Sequence, residues 1–371
     1  MESLDDDGGR SAMRAMAVAA LALCGFLLSL LPFTAALDLA LLDAQWQVLR
    51  RFDWRQATDE IVLVGVDEAT VRSIAEPPGL WHVPLGQALA RLASARPRAI
   101  GLELALPERS FDAVKPGLDR ALFDGLAAAV ENGPFVATLS IDPRTRAARN
   151  IHKPFLALLG ESRLGLNLVA RDADGRSRRF SLVVPTEDGG FPTLEGRLCR
   201  AMNRACTDGL IHYSLGRPFT YVPLKNVLSM GDATLFNNLF RDRIVLVGEA
   251  LPYTDRIDVP VNFAGWEAGG HDSPALVVHA QTLRTAINGN APQEASRPLG
   301  LLLVSIAALA FLVRDPRLAA LLAGLLALGA FALATFALRG GLQVPIAPLL
   351  ATLALALAAR VALTLKARKK A

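Results

Sequence analysis

Four apolar stretches do most to limit what this chain can fold into. One runs over residues 16–37, and three crowd the last 74 residues, at 298–313, 318–338 and 342–365. About 260 residues of ordinary globular composition separate the first from the rest. A hydrocarbon core of roughly 30 Å is crossed by about 20 helical residues. The pattern therefore predicts four transmembrane α-helices, one N-terminal and three C-terminal. The stretch at 298–313 is short and needs local thinning of the bilayer, or Arg297 and Arg314 reaching toward the interface. Hydrophobic residues make up 52% of the chain, above an average soluble domain.

Charge sets the orientation. Lys366, Arg368, Lys369 and Lys370 follow the last apolar stretch, Arg314 and Arg317 fill the loop between the second and third, and Arg10 and Arg14 precede the first. Arg339 alone marks the turn between the third and fourth. Basic residues in short loops stay cytoplasmic. The predicted layout is a cytoplasmic tail at 1–15, a span at 16–37, an outer domain at 38–297, three spans within 298–365 and a basic cytoplasmic tail at 366–371. The net charge of +4 is thus a topology signal facing a lipid bilayer rather than a nucleic-acid surface. A cleaved signal peptide is the alternative for the first stretch, which ends in Thr34, Ala35 and Ala36. Its length, and Asp5, Asp6 and Asp7 ahead of it, favour a retained helix.

Within the outer domain, residues 38–60 show helical spacing (Leu39, Leu42, Trp46, Leu49). The run Ile61–Val66 reads as a buried strand ending at Asp67 and Glu68. Pro84 marks a helix start, with Leu85, Ala88, Leu89 and Leu92 on one stripe. A strand through Ile100, Leu102 and Leu104, a helix over 117–130 and a strand at Phe135–Ile141 follow. Alternation of strand and helix implies an α/β domain with a largely parallel sheet. The second half is mixed. Leu164–Ala170 and Phe180–Val184 around DADGRSR suggest an antiparallel pair, and a helix is expected from Thr193 to Arg204. Short strands are expected near Leu210–Tyr213 and Phe219–Val222, and a further one at Arg243–Val247. A last helix opens at Ser273 or Pro274 and runs through Ile287.

Cys199 and Cys206 lie in the outer domain, where an oxidising compartment permits a disulfide. On an unbroken helix their offset separates them by about 10 Å, too far for a bridge. A bridge requires the helix to end near Asn203 and the chain to fold back. Cys24 lies in the first span.

Ligands of open α/β sheets sit at the carboxyl ends of strands. Asp67 and Glu68 end one strand, and Glu249 and Asp255 follow another, with Glu103 on a third and His279 on the last helix. Asp67, Glu103, Asp255 and His279 are therefore the candidate ligand-binding set. An acid at Glu103 in an apolar strand needs a partner such as His279 or an arginine; a structural ion pair or a helix cap is the competing reading. DADG (Asp172–Gly175) resembles the start of a calcium loop, but position 12 would be Val183, so an Asp-capped turn is expected. The five histidines lack metal-ligand spacing, and neither a nucleophile elbow, a Walker loop nor a dinucleotide fingerprint is present. No catalytic residue, metal or cofactor is expected.

Several segments, taken in order, resemble the type-2 CHASE extracellular sensor domain. They are IVLVGVDEATV, the Trp81/Pro84 element, RAIGLELAL, NLVARDADGRSRRFSLVV, RDRIVLVGEALPYTDRIDVPV and VVHAQTLRTAINGN. The resemblance covers about 240 residues and includes the family's layout of one leading and usually three trailing membrane helices. It implies a periplasmic input domain of a bacterial receptor at the inner membrane, normally fused to a cyclase or kinase. Three positions depart from the pattern: Glu103 replaces a common Asp, Leu85 an Arg, and Val259 a Thr. Only six residues follow the last apolar stretch, so output is expected through a cytoplasmic or membrane effector supplied in trans. A periplasmic ligand or an envelope protein would supply the input, and a homodimer stays open. The alternative is a non-signalling envelope scaffold, or an accessory subunit of an assembly or export machine.

Overall fold

A computed structural model describes residues 2–52, 55–57, 61–141, 148–185, 189–267, 270–289 and 291–369. Lys370 and the side chains of Asp5, Asp6, Asp7, Arg10, Arg297 and Arg368, part of the charge argument above, lie outside the described residues. The chain forms two units: residues 54–291, and a helical unit of residues 1–53 with 292–371.

The first unit is built on six parallel strands. They are β1 Ile61–Val66, β2 Ala99–Leu102, β3 Phe135–Leu139, β4 Leu164–Leu166, β5 Thr220–Pro223 and β6 Ile244–Glu249, in the order β4-β3-β2-β6-β1-β5. The two longest, IVLVGV and IVLVGE, lie side by side from Ile61↔Ile244 to Val66↔Glu249. Both are β-branched and almost wholly buried, as strands covered on both faces must be.

Alternation sends successive side chains to opposite faces. Val62, Val64, Ile100, Leu102, Val245 and Val247 join one apolar cluster with Leu89, Leu92, Leu122 and Leu126. These leucines come from helices α1 (His82–Ser94) and α2 (Leu118–Glu131). The two helices cross closely because a Cβ at Gly86 or Gly125 would strike the other helix's main chain. Helices α3 (Leu194–Ala201) and α4 (Ala275–Ile287) cover the second face. There Leu194 and Leu198 lie against Gly101, and Leu276 against Gly248.

Connections leave β1 and β2 toward α1 and α2, whereas the chain leaving β6 returns as α4 on the opposite face. Such divergence opens a crevice at the carboxyl ends of the strands.

Two expectations are corrected in this unit. Leu164–Leu166 does not pair with Phe180–Val184; it joins the main sheet beside β3. Arg179–Phe180 pairs instead with Gly209–Leu210, and Val183–Val184 with Phe191–Pro192. The intervening turn is held by Arg178, buried against Asp172 and Asp174 at 3.0 and 2.7 Å. The helix expected to reach Arg204 stops at Ala201. Asn203 then takes a positive φ of 57°, the chain turns back, and Cys199 and Cys206 are joined as a disulfide.

Among the described residues of the helical unit, three helices are long and apolar enough to cross a membrane: Ala12–Ser29, Pro316–Arg339 and Ala347–Ala367. Four were expected. The stretch at 298–313 gives only the shorter apolar helix Pro298–Leu312, roughly 22 Å long at 1.5 Å per residue. It tightens into a 3-10 turn over Leu309–Leu312. Its end is then set by Asp315, which caps the next helix by accepting from the N–H groups of Arg317 and Leu318. The N-terminal stretch is interrupted as well: the first helix stops at Ser29 and a second, Pro32–Phe52, begins. Pro32 cannot continue the earlier helix, and the Thr34 hydroxyl lies within donating distance of the carbonyls of Leu28 and Leu31, which also accept main-chain N–H groups across the turn.

Candidate functional site

A cavity of about 700 Å³ lies at the carboxyl ends of the parallel strands. Val66 from β1, Leu104 just after β2, Thr138 from β3 and Glu249 from β6 all reach it, with Trp81, His82 and Leu85 from the start of α1 on its wall. Arg109 and Arg149 stand at its exposed edge. Position 85, where the resemblance implies an arginine, contributes an apolar surface instead.

Behind the cavity, on the α3/α4 side of the sheet, lies a buried polar chain. Glu103, 3% exposed, accepts through Oε2 from the N–H of Glu249 at 3.1 Å. Its Oε1 accepts from Asn167 Nδ2 at 3.2 Å, and its carbonyl accepts from the Thr138 hydroxyl at 2.9 Å. Gly248 makes the arrangement possible, because a Cβ there would occupy the Glu103 carboxylate's position. Asn167 thus turns its amide NH₂ toward Glu103 and leaves Oδ1 facing His279 Nε2 at 2.9 Å. The other ring nitrogen, Nδ1, meets Glu195 Oε1 at 2.6 Å.

Both neighbours of His279 are acceptors, so both ring nitrogens carry protons and the ring is a buried imidazolium. Burial alone pushes His279 down; the carboxylate of Glu195, with Glu103 and Asp255 further off, more than offsets this and holds its pKa above the usual value. Glu103 is moved the other way in charge. Burial pushes its carboxyl up to about 7, His279 opposing and Asp255 adding to the rise. Glu195 and Glu103 flank one cation, so a proton on Glu103 brings the buried cluster close to neutrality.

Three of the four candidate residues, Glu103, Asp255 and His279, therefore come together. Asp255 takes a positive φ of 46° and its carbonyl accepts from the N–H of Ala275, the first residue of α4. Asp67 stands apart from them. It caps the helix Glu68–Ser73 by accepting from Thr70 N at 2.7 Å, and its charge, after burial, pushes the Tyr221 hydroxyl up. That is the helix-cap reading, realised at this residue.

The histidine's carboxylate partner proved to be Glu195, which sequence reasoning passed over. An acid between Leu194 and Leu198 on a buried helical stripe was the available signal. His82, Arg109 and Arg149 were also missed; they converge only because loops from three connections meet above the sheet.

No curated protein and no solved structure matches the chain. The CHASE2 domain family model does, over residues 17–326. That match takes in the whole sheet unit with its cavity and buried polar chain, and the family is one of extracellular sensor domains. The chain belongs to the CHASE2 domain family.

Proposed function

We propose that this chain is the membrane-anchored input subunit of a bacterial signal-transduction system. Its sheet unit faces the periplasm and binds a small ligand in the cavity at the strand ends. The state is passed on to an effector that is a separate protein, and the chain works by binding rather than catalysis, without nucleic acid. One observation carries the reading. Glu249 faces the cavity with its side chain while its own N–H holds Glu103. A ligand that moves the end of β6 therefore disturbs the buried chain leading to α4, the helix from which the sequence runs on toward the C-terminal membrane helices. A ligand acts as a signal only through a difference in affinity for two such arrangements.

The charge pattern supports cytoplasmic ends on both sides of the molecule, which requires the short helix Pro298–Leu312 to cross as well. Arg360 fits this, donating through Nε to the carbonyl of Val313 at 2.6 Å, just past that helix's end. A carbonyl at the end of a helix must be satisfied when it lies in or near hydrocarbon.

The test is retention of small molecules by the full-length protein in lipid nanodiscs, exposed to an extract of the producing cells and analysed by mass spectrometry. Wild type is expected to retain a compound that the cavity-filling variant Leu85→Trp loses. Equal retention by both, or none by either, counts against the cavity as the sensing site.

A further inference from the structure

Glu249 ends β6, and strand alternation decides which way its side chain points. Val247, two residues earlier, belongs to the apolar cluster on the α1/α2 face, whereas Gly248 lies against Glu103 and Leu276 on the other face. Glu249 therefore turns to the α1/α2 face, where it joins the lining of the cavity. Its Oε2 accepts from the Thr254 hydroxyl at 2.9 Å. Its Oε1 makes no hydrogen bond or ion pair among the described residues, and on this half-buried side chain it remains open to solvent.

The rest of the lining is largely apolar, with Val66, Trp81, Leu85, Leu104, Phe111 and Leu224. About 700 Å³ is room for a small organic molecule, and two planar rings in the wall suit a planar body. A molecule that fills this space takes Oε1 out of water. A desolvated charge without a counter-charge costs far more than an unpaired neutral group. A hydroxyl or amide on the ligand would satisfy the hydrogen bond and leave the charge unbalanced. An ammonium group meets both needs, in a charge-assisted bond. A bare metal ion does not fit, because no three His, Cys, Asp or Glu side chains are grouped to hold one among the described residues.

The arginines at the mouth do not reverse this preference. Arg149 is exposed and paired with Glu108 at 3.6 Å. Arg109, also exposed, lies 5.9 Å from the centre of the Phe111 ring. At physiological ionic strength exposed charges are screened over about 8 Å, and charges withdrawn from water much less. The carboxylate inside the cavity therefore outweighs the guanidinium groups at its rim.

We propose that the cavity binds a small aromatic amine, its ammonium group on Glu249 Oε1 and its ring against Trp81, Leu85 and Phe111. This rests on the sensing role given to the cavity above, and it makes Glu249 the residue that reads the ligand's charge.

The test is calorimetric titration of the full-length protein in nanodiscs with three probes that share one body: 2-phenylethylamine, 2-phenylethanol and 3-phenylpropanoate. The amine is expected to bind at least tenfold more tightly than the alcohol, and the acid not measurably. Glu249→Gln keeps the side chain's shape and the main-chain N–H to Glu103, and is expected to bring the amine down to the affinity of the alcohol. Equal affinities of wild type for amine and alcohol overturn the proposal. So does an acid that binds as well as the amine, which would give the recognition to Arg109 and Arg149 instead. Failure of all three to bind overturns it too. The wild-type comparison decides even where Glu249→Gln does not fold. The Leu85→Trp retention experiment stands independently, so a wrong ligand class is distinguishable from a wrong site.

Discussion

Glu103 occupies a position where an unpaired carboxylate would be intolerable, and its surroundings show how the cost is met. With its carboxyl raised from 4.5 to about 7, its contribution to stability is complete below about pH 4.5 and is lost as pH rises through 7. His279, also raised, loses its contribution as pH climbs through its own folded value. Both act in one direction, so the sheet unit is expected to weaken between about pH 5 and 8. Glu103→Gln mimics the protonated acid and should flatten that slope, leaving the variant as stable as wild type or more so at pH 8. At about 1.4 kcal/mol per unit, the part removed is roughly 3 kcal/mol. Thermal midpoints across this range check it; a variant with wild-type slope would place the titrating proton on another group.

At the scale of elements, the close contact of β6 with the end of β2 depends on one missing side chain. Gly248→Ala puts a Cβ where the Glu103 carboxylate sits and crowds Leu276 of α4. Overpacking of this kind costs about 1–3 kcal/mol. In a Glu103→Ala background the same change is expected to cost distinctly less, a coupling that a double-mutant cycle in denaturant measures; purely additive losses would show that the glycine serves something other than room for Glu103. The elements themselves were largely legible. IVLVGV and RIVLV announce buried strands by β-branching and length, RAIGLELAL does so by the alternation of Ile100, Leu102 and Leu104, and the stripe Leu85, Ala88, Leu89, Leu92 announces α1. Pairing was not legible in the same way. Nothing local to Leu164–Leu166 says that it extends the main sheet instead of folding onto Phe180, because strand partnership is decided by tertiary packing. For the same reason His279 and Glu103 could be nominated as a pair, while Asn167, which stands between them, could not.

For the whole molecule, the decisive question is which loops face which side. Arg314→Cys and Ser110→Cys, each introduced after Cys24→Ala and with the Cys199–Cys206 disulfide retained, separate the alternatives. An impermeant maleimide applied to intact cells is expected to label Ser110→Cys and to leave Arg314→Cys unlabelled until the membrane is opened. Labelling of Arg314→Cys from outside would mean that Pro298–Leu312 does not cross, which reverses the last two helices and puts Lys366 and Lys369 outside, against the usual bias of basic residues. The sequence placed the apolar stretches but overcounted full-length spans. Hydropathy reports composition, whereas Pro32 and the Asp315 cap decide where helices stop.

The strand order has a consequence in time. β6 lies between β1 and β2, with Ile61 and Ile244 as register partners, yet it is the last of the six to be synthesised. Until it arrives, the facing edges of β1 and β2 have no neighbour, and open strand edges of apolar sequence invite pairing with other chains. Contacts so remote in sequence also close slowly. A nascent chain halted before Ile244 should therefore remain protease-sensitive and need a holding chaperone on the far side of the membrane, with resistance acquired in one late step once Glu249 has been exported.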